Sequence, residues 1–309
     1  MDTKGLIKTI IILLFTVIAI PLATIYIDEP LTALQKETLT QVAYIAGGVV
    51  LYCFVVSQLS GNHSQVDKLW SIVPIIYVWF MAYKGGFDSK LVLMAILATA
   101  WGIRLTLNFA RRDAYSWKFW SGEEDYRWAI LREMPLLKGK VRWTLFSFFF
   151  ICLYQNAVVL AFTLPMIVLF KYLGQPIGIG EIILAVVFIA LLVIETIADQ
   201  QQWDFHKEKN RLKAEGKPLT GEYAEGFVHT GLWAIVRHPN YFAEQGIWVV
   251  FYLFSVVASG YPINWSMAGC MLLIILFQGS ANFSEGISSG KYPGYKDYQK
   301  RVGRFIPRF

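Results

Sequence analysis

Charge is scarce in this chain. Only 16% of its 309 residues are Asp, Glu, Lys or Arg, whereas 56% are hydrophobic and the mean hydropathy is +0.46. An ordinary soluble domain carries about 25% charged residues, so a separate soluble domain is excluded. Cysteine and histidine are sparse too. Cys53, Cys152 and Cys270 are unevenly spaced inside apolar runs, where they read as small apolar residues. His63, His206, His229 and His238 lack the His-x-x-x-His or Glu-x-x-His spacing of helical metal sites, so no metal is expected. A glycine-rich phosphate loop following a strand is also missing, which excludes a Rossmann domain. Any nucleotide must be held another way.

What the chain does contain is apolar runs. They fall near residues 5–26, 41–59, 70–83, 91–110, 143–170, 181–198, 245–259 and 265–283. A span needs about 20 apolar residues, and two of these are short. The expected fold is therefore all-α, a polytopic integral membrane protein with seven or eight transmembrane helices. The first run follows Lys4 and Lys8 but ends in no clear small-residue cleavage pattern, so it reads as an anchor that stays in place.

Lys and Arg between the runs set the orientation. Residues 111–142 carry eight, 199–240 carry six and the tail from Ser284 carries six; segments 27–40, 84–90 and 171–180 carry one, two and one. With eight spans this alternation places both termini, the 111–142 loop and the segment around Arg237 on the cytoplasmic side. The net charge of +6 is spread over these loops, as suits an anionic leaflet, and nucleic acid is not expected as a partner.

Four polar clusters interrupt the apolar pattern. The densest is Arg237-His238-Pro239-Asn240-Tyr241-Phe242-Ala243-Glu244, directly before an apolar run. Unsatisfied polar groups in hydrocarbon cost several kcal/mol each, so such a cluster belongs at an interface or around a ligand. Glu195, Asp199, Gln202 and His206 recur at helical spacing and share one face. Gln202 onward reads as a helix leaving the membrane, whereas Glu195 and Asp199 start inside the apolar run and are candidate site residues. Residues 62–70 hold Asp67 and Trp70, with an interfacial loop as the plainer reading. Arg104 lies within the fourth run, with Trp101 and Asn108 on its face, and a structural partner for a buried acid is its plainer role. In the tail, Tyr292, Tyr295 and Tyr298 alternate with cations, a pattern that fits either a nucleotide or a basic tail on the membrane surface.

Gly231-Leu232-Trp233, Arg237-His238-Pro239-Asn240-Tyr241-Phe242-x-Glu244, Tyr295-x-x-Tyr298 and Phe305-Ile306-Pro307 together resemble the C-terminal domain of the steroid 5α-reductase family, DUF1295-like membrane proteins included. The Glu195-x-x-x-Asp199 helix fits as well. Residues 180–309 carry the likeness, and the N-terminal half matches loosely. Sterol Δ14-reductases and isoprenylcysteine carboxyl methyltransferases have a similar Arg-His-Pro segment.

The resemblance implies two parts: N-terminal helices, 1–142, forming part of a lipid-substrate cavity, and a C-terminal membrane domain, 143–309, holding NADPH from the cytoplasm. Glu195, Asp199, Arg237, His238, Asn240, Tyr241 and Glu244 would line the cofactor pocket, and Tyr295 and Tyr298 would close it. Hydride would pass to the β-carbon of a lipid or steroid-like enone while an acid polarises the carbonyl. Where the steroid reductases present a Glu and a Tyr to the ketone, this chain has Asp67 and Trp101, the expected catalytic pair. That pair differs from the steroid-binding one, so another lipid enone or an unsaturated acyl chain is a candidate substrate beside a steroid; near Glu285 those reductases carry basic residues instead, a departure that bears on the phosphate contact. The alternatives are an S-adenosylmethionine-dependent lipid or isoprenylcysteine-type methyltransferase and a non-enzymatic membrane lipid-binding protein. The expected location is the endoplasmic reticulum for a eukaryotic chain and the inner membrane for a bacterial one.

Overall fold

The computed structural model describes residues 28–308 together with Ile11, Phe15, Thr16, Ala19, Ile20 and Leu22. Most of the expected first span, 5–26, lies outside the described residues. In chain order the helices are α1 (Ala33–Ser60), α2 (Gln65–Leu69), α3 (Val73–Lys84), α4 (Ser89–Ala110), α5 (Tyr126–Arg132), α6 (Lys140–Phe146), α7 (Gln155–Ala161) and α8 (Pro165–Val168). They continue with α9 (Ile179–Ala214), α10 (Gly221–Glu225), α11 (Leu232–Ile235), α12 (Pro239–Ser259), α13 (Met267–Lys291) and α14 (Tyr295–Arg301). The protein is an all-α polytopic membrane protein. Among the described residues, extended pairing is confined to an isolated parallel bridge between Val236 and Gly303.

Among the described residues, six helices are long and apolar enough to cross a membrane: α1, α4, the compound helix Lys140–Tyr172, α9, α12 and α13. Helix α3 has 12 residues, about 18 Å of helix against a hydrocarbon core of about 30 Å. The run expected at 70–83 is thus a shorter apolar helix.

Local chemistry sets the boundaries. A reciprocal capping box opens α1: the Gln35 amide N–H donates to Thr32 Oγ1, and the Thr32 amide N–H donates to Gln35 Oε1. Gly61, at φ 73°, closes the helix in the left-handed conformation. Asp88 caps α4 by accepting from the Lys90 amide. Between α6 and α7 the chain is a π-helix over Ser147–Tyr154, a wider winding that is rare in ordinary structural helices and frequent near functional sites.

The described residues divide into two compact units, one of 28–185 with 249–273, the other of 186–248 with 274–308. In the first, α1 packs on the π-helical segment and α7, and α3 packs along α4. The inward stripe of α1 is Gln35, Thr38, Val42, Ala46, Cys53 and Ser57, at helical spacing. Its other faces expose Tyr44, Leu51 and Leu59, which suits contact with lipid. Gly102 lets α4 approach closely, because a Cβ there would lie 2.5 Å from the Ser71 carbonyl oxygen. In the second unit α9 carries the Glu195-to-His206 stripe on one continuous helix, with Gln202 and His206 paired side by side at 3.1 Å. Helix α12 begins at Pro239, whose fixed φ suits a first helical residue. The Arg237 segment is therefore the entry to a helix that starts before the expected span 245–259.

Candidate functional site

The second unit gathers most of the expected site residues. Asn240, in the first turn of α12, donates from Nδ2 to Asp199 Oδ1 at 3.0 Å and accepts the Tyr241 amide N–H on Oδ1. That contact joins the α9 stripe to the α12 entry. Glu195, one turn before Asp199, is buried, and buried Glu244 accepts from Trp248 Nε1 at 3.2 Å. Tyr241 stacks on the His238 ring and meets Phe277 edge-on.

Arg237 and His238 face a different partner. Glu285, the sole acid of α13, accepts from Arg237 Nε at 2.9 Å and Nη2 at 3.3 Å, from His238 Nε2 at 2.9 Å, from Gln299 Nε2 at 3.0 Å and from Arg304 Nη2 at 2.9 Å. Arg237 Nη1 donates to the carbonyl oxygens of Gln299 and Val302. The backbone adds Arg237 N–H to Gly303 O at 2.8 Å and His238 N–H to Arg304 O at 3.1 Å. Every donor group of the Arg237 side chain is thus committed to α13 or the tail. Gly303 is required where the tail turns, since a Cβ would sit 1.8 Å from the Ile306 carbonyl oxygen.

The tail tyrosines are core residues. Tyr295 and Tyr298 pack with Phe227 in a buried aromatic cluster flanked by Tyr292 and Val302. The Tyr298 hydroxyl donates to the Trp233 carbonyl oxygen, and Trp233 Nε1 donates to the Ala198 carbonyl oxygen at 3.1 Å. Burial pushes the Tyr295 phenol up to about 12, so it stays protonated. Exposed cations of this unit include Lys207, Lys213, Lys296 and Arg301.

Asp67 and Trp101 belong to the other unit. Trp128 Nε1 donates to Asp67 Oδ2 at 2.8 Å. Burial and the Asp125 carboxylate raise the Asp67 pKa, outweighing Arg127, Trp128 and Ser64. For Asp125 burial acts in the same direction, but the bidentate Arg127, at 2.7 and 2.9 Å, brings the net shift below the ordinary value. The two acids are therefore driven apart, one toward the protonated and one toward the ionised form. Trp101 is fully buried and meets Phe162 edge-on. His63 is buried as well: Trp143 Nε1 donates to its Nε2 at 2.9 Å, which leaves Nδ1–H to donate to Ser147 Oγ at 2.9 Å. Burial, helped by Arg132, lowers its pKa to about 4.

Two features escape a reading of the sequence. Glu285 could have been found by the logic that singled out Glu195, since it is the one acid of an otherwise apolar helix. Tyr77, Tyr154 and Ser57 are buried with side-chain hydroxyls that lack a hydrogen-bond partner. Nothing in their local sequence distinguishes them from packing residues. Among the described residues, no group of three or more His, Cys, Asp or Glu is arranged to hold a metal ion.

A family model described as a protein of unknown function, DUF1295, matches residues 53–302. An uncharacterized protein of Schizosaccharomyces pombe is 37% identical over 278 residues, covering 86% of this chain and 78% of its own length. No solved structure matches.

Proposed function

The chain belongs to the DUF1295 family, and from that premise we propose that it is a membrane-bound oxidoreductase that uses NADPH to reduce a carbon-carbon double bond in a lipid or steroid-like enone. The observation that carries this reading is the Asn240–Asp199 contact at 3.0 Å. It brings the two motifs on which the likeness to steroid 5α-reductases rests into one polar cluster, with Glu195 and Glu244 buried on the same two helices.

The donor and acceptor set suits the neutral parts of the cofactor. Carboxylates of Glu195 and Asp199 are acceptors for ribose hydroxyls, and the Asn240 amide complements a carboxamide. Phosphates fall to Lys207, Lys213, Lys296 and Arg301, while Arg237 and His238 fix the tail that shapes the cluster. When bound, NADPH supplies the hydride. The chain's own contribution at the substrate is an acid: Asp67, held toward its protonated form and fixed by Trp128, donates a hydrogen bond to the substrate carbonyl oxygen and stabilises the charge that develops there. Trp101, the second member of the expected catalytic pair, is buried in the same unit against Phe162. The unpartnered hydroxyls of Tyr77, Tyr154 and Ser57 favour a substrate with a hydrogen-bond acceptor at its buried end.

One observation favours a second reading, a lipid methyltransferase using S-adenosylmethionine. The cluster is rich in carboxylates and the neighbouring Arg237 is already neutralised by Glu285, an environment suited to a sulfonium cation. Thermal unfolding of the detergent-purified protein with NADPH, NADH and S-adenosylmethionine in parallel separates the two. A ligand at 100 times its dissociation constant stabilises by about 2.7 kcal/mol. Selective stabilisation by NADPH is expected; selective stabilisation by S-adenosylmethionine transfers the assignment to methyl transfer, and no shift with any of the three removes both.

A further inference from the structure

The loop between α4 and α5 presents a feature that the proposed chemistry does not use. Its tip, Ser116-Trp117-Lys118-Phe119-Trp120, exposes Trp117 completely, at 106%, and Trp120 at 52%. A large apolar ring in full contact with water is costly for a free loop, which would fold it back. Here the backbone is pinned from beneath. The buried Lys68 ammonium donates to the carbonyl oxygens of Phe119 and Ser121, Gln65 Nε2 donates to Trp120 O at 3.0 Å, and Asn62 Nδ2 donates to Gly122 O at 2.9 Å. Tyr115 stacks on Phe119 and donates its hydroxyl to Lys68 O at 2.7 Å. Ser116 Oγ and Ser121 Oγ close the loop on the Lys118 carbonyl oxygen. The fold spends a buried lysine on holding this tip rigid with its indoles outward.

We propose that the 116–120 loop is a membrane-inserting wedge: its two indoles enter the headgroup region of the cytoplasmic leaflet, and the exposed Arg112 and Lys118 pair with lipid phosphates. Three observations select lipid as the occupant. Trp117 follows the end of the membrane-crossing helix α4 by seven residues, which keeps it within about 25 Å of the bilayer surface. Exposed Arg112 and Lys118 flank the rings while Asp113 and Glu123, also exposed, lie in the same loop, so the tip carries both signs and complements a zwitterionic headgroup layer. Indoles are the side chains that prefer the interface between headgroups and acyl chains. Because Lys68 is spent on carbonyl oxygens, the exposed cations of the wedge are Arg112 and Lys118. The inference stands apart from the NADPH reading, since it uses neither the cofactor cluster nor a substrate.

The test is tryptophan quenching in the full chain, reconstituted in nanodiscs of phosphatidylcholine whose acyl chains are brominated just below the headgroup. The emission difference between the wild-type protein and Trp117→Phe isolates the indole at the tip. Loss of that component in brominated discs, relative to unbrominated ones, is expected. A component that survives bromination and emits like water-exposed indole overturns the proposal and leaves a protein partner as the occupant. A second measurement covers a spectral change of indirect origin: Trp117→Cys carrying a nitroxide should collide more with membrane-dissolved oxygen than with a water-soluble nickel chelate. The reverse order would also sink the wedge.

Discussion

Arg237 and Glu285 form a doubly bonded pair, 2.9 and 3.3 Å apart, in which neither side chain is more than 7% exposed. Around it His238, Gln299 and Arg304 complete the carboxylate's hydrogen bonding, and two backbone carbonyl oxygens complete the guanidinium's. A pair so enclosed costs desolvation that only full satisfaction offsets, so its members are worth far more together than apart.

Arg237→Ala should therefore destabilise the protein by about 3–5 kcal/mol, because it leaves a buried carboxylate short of its main partner. The double variant Arg237→Met with Glu285→Leu should lose less than the two single changes added. Denaturant unfolding of the four proteins gives the coupling energy directly. Additive losses would mean that the pair does not act as a unit.

Asn240→Ala makes a contrasting case. Asn240 touches Asp199 near the surface of the cluster and bears no part of the tail. Its loss should weaken NADPH affinity about tenfold, roughly 1.4 kcal/mol, with little change in unfolding midpoint. Isothermal titration of the purified variant measures the first and a melting curve the second. Unchanged affinity would remove Asn240 from the cofactor site.

How far the chain could be read without coordinates follows from what each signal depends on. Apolar runs report contact with lipid, a property of each residue alone, so six long helices fall where the runs do, with ends shifted to the caps at Thr32 and Asp88 and to Pro239. The 3.6-residue period likewise puts Glu195 and Asp199 on one face of α9. Partnership across the chain leaves no such trace. Arg237 reads as a free cation until Glu285, 48 residues away, is placed beside it. Nor does the sequence place Phe227 against the rings of Tyr295 and Tyr298. The Lys68 ammonium is spent on the backbone of a loop some 50 residues on, a partnership the local sequence does not carry.

Asp67→Asn tests the acid directly. Activity that needs the protonated carboxyl should be full at low pH and fall as pH rises through the raised pKa of Asp67. An amide cannot lose that proton, so Asp67→Asn should show a lower kcat whose alkaline limb is flattened, with cofactor affinity nearly intact. A pH profile of kcat for a lipid enone, set against the wild-type curve, reads both. An unchanged limb would assign it to another group.

His63 carries a stability prediction independent of catalysis. Its Nε2 accepts from Trp143 and its Nδ1–H donates to Ser147, so the native state holds the neutral ring and has no place for a second proton. Burial lowers the folded pKa from 6.5 to about 4. The neutral form's advantage is thus fully present above the unfolded value and is lost as pH falls from about 6.5 toward 4, the unfolded chain binding the proton first. A shift of that size amounts to about 3 kcal/mol in this buried site. Thermal unfolding between pH 7 and 4 should show the wild-type midpoint falling through that window, whereas His63→Gln, starting lower, should follow a flatter curve. Parallel curves would show that His63 contributes nothing to the acid sensitivity, and the Asp125 carboxylate, held below its ordinary value by Arg127, would then carry it.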